Sequence, residues 1–66
     1  MELIINGESR TFDAPLTLAG VIDALGLSDR RIAVEHNLEI VPRSAWADTP
    51  VKSGDRLEIV HAIGGG

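Results

Sequence analysis

Cysteine and tyrosine are absent from the 66 residues, and phenylalanine and tryptophan occur once each. Without a thiol there is no disulfide framework, no thiolate metal site and no cysteine nucleophile. Small secreted domains usually depend on disulfides, so their absence leads us to expect a reducing, cytoplasmic setting. Long apolar runs are missing too. The opening Met1-Glu2-Leu3-Ile4-Ile5 is too short for a signal peptide, and nothing approaches the roughly 20 residues of a membrane-spanning helix. Basic residues are few: 6 Lys plus Arg stand against 10 Asp plus Glu, a net charge of −4. That balance argues against nucleic acid, whose phosphates call for a basic stripe. It favours a partner with a positive docking surface.

The chain also lacks catalytic equipment. There is no P-loop and no Gly-rich phosphate cradle. His36 and His61 are its two histidines, too far apart in sequence for a convincing metal site. A chain this short buries only roughly 60% of its unfolded surface, so an internal active-site cleft would compete with the core. We expect no catalytic residue and no bound metal.

What is present is a run of short, well-punctuated elements. Glu2–Asn6 alternates, with Leu3 and Ile5 on one face and Ile4 on the other, and Asn6-Gly7 is a strong hairpin signal. Glu8–Asp13 is the returning strand, carrying Phe12, and Ala14-Pro15 breaks it. Thr17 can cap a helix whose Leu18, Val21, Ile22 and Leu25 recur at helical spacing. Gly26 suits a left-handed C-terminal cap, with Leu27 folding back onto the helix. Gly20 costs the helix about 1 kcal/mol relative to alanine, which we read as close packing against a sheet. A strand from Arg31 or Ile32 to Glu35, a turn at His36-Asn37, and a short strand Glu39–Val41 ended by Pro42 follow. Arg43–Asp48 reads as one helical turn bearing Trp46, and Gly54 bends the loop into a final strand, Arg56–Ile63.

A helix between two strands of one sheet is a crossover, and crossovers are right-handed in nearly all cases. The first and last strands then lie parallel and central. The expected fold is α+β, a β-grasp or ubiquitin-like arrangement: a mixed four- to five-stranded sheet with one main helix across one face. The domain would span residues 1–63, followed by a flexible glycine tail at 64–66. The expected core is Leu3, Ile5, Phe12, Leu18, Val21, Ile22, Leu25, Ile32, Val34, Ile40, Val51, Leu57 and Ile59.

The tail follows the last strand directly as Gly64-Gly65-Gly66. Three residues span about 10 Å when extended, and without Cβ atoms they fit a narrow channel. A terminal carboxyl ionises at about pH 3.3–3.7, so Gly66 would present an anion. A carboxylate is a poor acyl donor. Attack on the α-phosphate of ATP would turn it into an acyl adenylate, which sulfur could convert to a thiocarboxylate, an amine to an amide, or a thiol to a thioester. This chain would be the co-substrate of an enzyme that supplies the nucleotide and metal.

Several segments together resemble one family: Asn6-Gly7, Val34-Glu35-His36-Asn37, Ile40-Val41-Pro42-Arg43, Trp46, Gly54-Asp55 and His61-Ala62-Ile63-Gly64-Gly65-Gly66. Over essentially its whole length the chain resembles the sulfur carriers of bacterial thiamine biosynthesis, the ThiS family. The resemblance implies that a ThiF-like adenylyltransferase, using ATP and magnesium, activates Gly66 as a glycyl adenylate. Sulfur then gives a C-terminal 1-thioglycine, which serves a ThiG-like thiazole synthase. Gly64 and Gly65 would thread into the partner.

Ile4, Val60, Ala62 and Ile63 are candidate docking residues, because Leu57 and Ile59 facing the helix would turn Ile4, Val60 and Ala62 outward. His61 is read as a strand residue, His36 as part of a turn, and Trp46 as a packing anchor. Arg43 could bind locally or touch a partner. Three other functions remain: the small subunit of molybdopterin synthase, with the same tail chemistry; a ubiquitin-like modifier conjugated to lysines; and an inert β-grasp interaction domain. The first is usually somewhat longer and lacks the Ile-Val-Pro-Arg and tryptophan arrangement.

Overall fold

A computed structural model describes residues 1–13 and 16–62. The expected break at Ala14-Pro15, the domain boundary at residue 63 and the glycine tail lie outside the described residues. Five strands, a helix and a 3-10 segment follow in order: β1 (Glu2–Ile5), β2 (Glu8–Thr11), α1 (Leu18–Ala24), β3 (Ile32–His36), β4 (Glu39–Val41), the 3-10 segment (Arg43–Asp48) and β5 (Arg56–His61). The sheet order is β2-β1-β5-β3-β4. β1 and β5 are parallel, and the other neighbouring pairs are antiparallel. This is the mixed sheet of a β-grasp fold, with β5 at its centre.

Local chemistry accounts for the elements. Asn6 and Gly7 both take positive φ, 51° and 80°, the primed turn that suits a two-residue hairpin. β2 ends at Thr11, two residues short of the expected Asp13. Phe12 still pairs with the chain start, its amide donating to the Met1 carbonyl at 2.8 Å. Thr17 caps α1 by accepting from the Gly20 amide. At the other end the Leu27 amide reaches the Ile22 carbonyl and the Gly26 amide the Asp23 carbonyl, the paired bonds of a Schellman cap. A Cβ on Gly20 would lie 3.0 Å from Leu16 Cδ2, so the close neighbour is the residue leading into the helix and not the sheet.

The second hairpin turns one residue later than expected. Asn37 and Leu38 hold its positive-φ positions, 49° and 74°, while His36 completes β3. Leucine is an unusual choice there, because its side chain crowds the backbone in the left-handed region. Asp55 braces this turn. Its carboxylate accepts from the Lys52 amide (2.9 Å) and from the Asn37 side chain (3.2 Å), and it lies 2.8 Å from His36 Nε2. Burial alone would raise the Asp55 pKa, but the hydrogen bonds from His36, Lys52 and Asn37 outweigh it and hold the carboxyl below its usual value.

The core lies between the sheet and α1. Leu3, Leu18, Val21 and Leu57 are fully buried, and Ile5, Ile22, Val34, Val51 and Ile59 complete its aliphatic part. Phe12, Leu25 and Ile32 are partly buried against it. Two residues depart from the expected core. Ile40 is 75% exposed, because its partner in the β4 register is Glu35, on the face away from the helix. Trp46, read only as an anchor, is a core member at 4% exposure. Its indole N–H donates to the Val41 carbonyl at 2.9 Å, and the Arg43 guanidinium stacks 4.5 Å above its ring. Arg43 also donates to the carbonyls of Ser28 and Arg30, so its contacts are local.

These positions predict opposite outcomes for two truncations. Trp46→Ala is expected to cost about 3–5 kcal/mol, most of the stability of a domain this size. Ile40→Ala should cost no more than about 0.5 kcal/mol. Chemical denaturation followed by circular dichroism measures both, and equal losses would contradict the assigned packing.

Candidate functional site

The candidate site lies at the end of β5, the strand that precedes the glycines in the sequence. β5 is held on both sides, unequally. On the β3 side the register runs from His36↔Leu57 to Ile32↔His61, and the Ala62 amide donates to the Arg31 carbonyl at 2.8 Å. On the β1 side the paired register covers Ile4↔Arg56 and Ile5↔Leu57, and the Asn6 amide adds a bond to the Leu57 carbonyl. There β1 turns away. The Asn6 side chain continues the ladder, since its Nδ2 donates to the Ile59 carbonyl (3.1 Å) and its Oδ1 accepts from the Ile59 amide (2.7 Å). One amide side chain thus substitutes for the missing strand residue.

The tether was not legible in the sequence. Asparagine is favoured ahead of glycine in this turn for backbone reasons alone, so its presence carried no separate signal for a second role. Past Ile59 the β1 side of β5 opens onto a cleft of about 240 Å³. Asn6, Glu8, Arg10, Leu25, Leu27 and His61 line it, so His61 contributes to a groove wall at the base of the tail. Among the described residues, no group of three or more His, Cys, Asp or Glu could hold a metal ion.

The docking candidates do not form one patch. Val60 is 58% exposed, and Ala62 is exposed beside it at the tail end of the outward face. Ile4 is half-buried and sits opposite Arg56 in the parallel register. It is therefore four strand positions, about 13 Å, back along β5 from Val60. Side-chain alternation told which face Ile4 occupies, but the register decides its distance from the tail. Ile63, Gly64, Gly65 and Gly66 lie outside the described residues.

The architecture is that of a ubiquitin-like β-grasp domain whose central strand is the last one described. Comparison with known proteins narrows the class. The ThiS family model matches residues 3–66. The chain is 53% identical over 66 residues to a thiazole synthase of Paramagnetospirillum magneticum, covering all of this chain and 20% of that protein. It is 29% identical over 66 residues to the sulfur carrier protein ThiS of Escherichia coli, covering the full length of both. It superposes on the crystal structure of the thiamine biosynthesis protein ThiS from Geobacter metallireducens with a TM-score of 0.86 at 35% identity, covering all of both chains. The chain belongs to the ThiS family. It spans about a fifth of the length of the thiazole synthases it matches. No described helix is long and apolar enough to cross a membrane.

Replacing Asn6 by glycine keeps the positive φ and removes only the tether. Two hydrogen bonds at about 0.5–1.5 kcal/mol each predict a loss of about 1–3 kcal/mol and faster amide exchange at Ile59. Unchanged exchange at Ile59 in Asn6→Gly would show that the amide bridge contributes nothing.

Proposed function

We propose that this chain is the sulfur carrier of thiazole formation in thiamine biosynthesis, acting as a protein co-substrate in the cytoplasm. The observation that carries the reading is the family match, which runs through the β-grasp body into Gly66. A ThiF-like adenylyltransferase binds ATP and magnesium. The Gly66 carboxylate attacks the α-phosphorus, releasing pyrophosphate and forming the glycyl adenylate. A sulfur nucleophile then displaces AMP, leaving a C-terminal thiocarboxylate, the 1-thioglycine. A ThiG-like thiazole synthase passes the sulfur to its carbonyl substrate, and as the C–S bond to Gly66 breaks an oxygen from water or from that carbonyl restores the carboxylate.

The body supplies position. β5 enters the tail from the middle of the sheet, tied to β3 through Ala62 and to Asn6 through Ile59. Gly64 and Gly65 add reach without side chains, so a partner can enclose the terminus and exclude water from the adenylate. The thiazole synthase relatives favour this acceptor over molybdopterin synthase, because they contain the region matched by this chain within one polypeptide.

Intact-mass spectrometry after incubation with the activating enzyme, ATP, magnesium and a sulfide source tests the reading. The expected result is the gain of one oxygen-to-sulfur exchange, localised to Gly66 and absent after Gly66 deletion. No gain, with the enzyme competent on another carrier, would refute it.

A further inference from the structure

The outward face of the sheet carries a feature that the tail chemistry leaves unexplained. β3 and β5 place Glu35 directly opposite Glu58. Ala33 and Val60 are opposite two positions nearer the tail, on the same face. The Ala62 amide donates to the Arg31 carbonyl and the Asn37 amide to the Arg56 carbonyl, so alternation assigns 33/60 and 35/58 to the hydrogen-bonded type of pair. Side chains at such positions have Cβ atoms about 5.5 Å apart, and like charges directly opposite are unfavourable. Neither carboxylate has a side-chain hydrogen bond or ion pair among the described residues. Arg56 shares the face two positions before Glu58 and makes no ion pair with it.

Exposed apolar groups border the acid pair: Val60 toward the tail, at 58% exposure, and Ile40 next to Glu35 on β4, at 75%. A two-carboxylate row edged by apolar side chains matches a guanidinium or ammonium presented from an apolar surface. Such a cation would neutralise both acids at once and be partly desolvated by its surroundings. The net charge of −4 favours the same sign of partner.

We infer that Glu35 and Glu58 are the electrostatic anchor by which this sheet face docks an arginine or lysine of the thiazole synthase. The inference rests on the sulfur-carrier reading for the identity of the occupant. Two of the relatives, named thiazole synthase, hold the matched region and the rest of the enzyme in one chain, which points to that enzyme as the surface this domain meets. Val60 and Ala62 connect the anchor to the start of the tail, so engaging the acid pair would aim the glycines. In the complex a single cation would face both acids at once.

Calorimetric titration of the full chain into the cognate thiazole synthase, at low and at high salt, tests the anchor. Glu58→Gln and the double change Glu35→Gln with Glu58→Gln are expected to weaken binding about tenfold and to flatten its salt dependence. The free double variant should melt no lower than the native chain, which separates docking from a folding defect. Unchanged affinity and salt slope overturn the anchor, as does an absence of binding by the native chain. Sulfur loading of Gly66 is read separately, by mass spectrometry of the same protein preparation after incubation with the activating enzyme, ATP, magnesium and a sulfide source. An intact mass gain alongside either overturning result leaves the carrier reading standing, and its loss refutes that reading instead.

Discussion

The structure depends on the insertion of β5 between β1 and β3. Until the last strand arrives, β1 and β3 each have an unpaired inner edge, and Leu3 and Val34 have no Leu57 or Ile59 between them. Pairing β5 satisfies both edges and closes the core in one step, with contacts that span nearly the whole sequence. A 66-residue domain has little stability to spare, so its fold and the direction of its C-terminal segment are set by the same event. Any folded molecule then holds the end of β5 in the same place.

The two sides of β5 have different jobs. Toward β3 the ladder is regular and reaches Ala62. Toward β1 it ends early and is completed by a single asparagine side chain, beyond which a cleft opens beside His61. The far end of the sheet is braced separately, where Asp55 collects the Lys52 amide, Asn37 and His36 around the left-handed turn at Asn37-Leu38. One end of the sheet is thus tied tightly, while the tail end has exposed apolar and acidic groups on its outward face.

Much of this was legible in the sequence where the governing physics is local. Asn6-Gly7, Thr17 and Gly26 announced a turn, a cap and a helix stop because each answers a backbone requirement within a few residues. Ile40 was misplaced because alternation in a three-residue strand leaves its face open, and pairing to Glu35 decided the matter. Trp46 was undervalued because irregular segments give no periodicity from which to read burial. Ile4 was legible as outward-facing, but its distance from Val60 was not, since a parallel register joins residues more than fifty positions apart. The opposed Glu35 and Glu58 were invisible for the same reason: nothing in either neighbourhood foretells the other.

Amide hydrogen exchange along the last strand tests most directly the claim that β5 is fixed up to the tail. Glu58, Val60 and Ala62 donate toward β3, so their amides should exchange slowly, with Ile59 protected through Asn6. The His61 amide faces the open cleft side and should exchange far faster than its neighbours. That alternation would establish a rigid base for the glycines. Uniformly fast exchange from Ile59 onward would contradict it, because the strand would then be frayed before the tail begins.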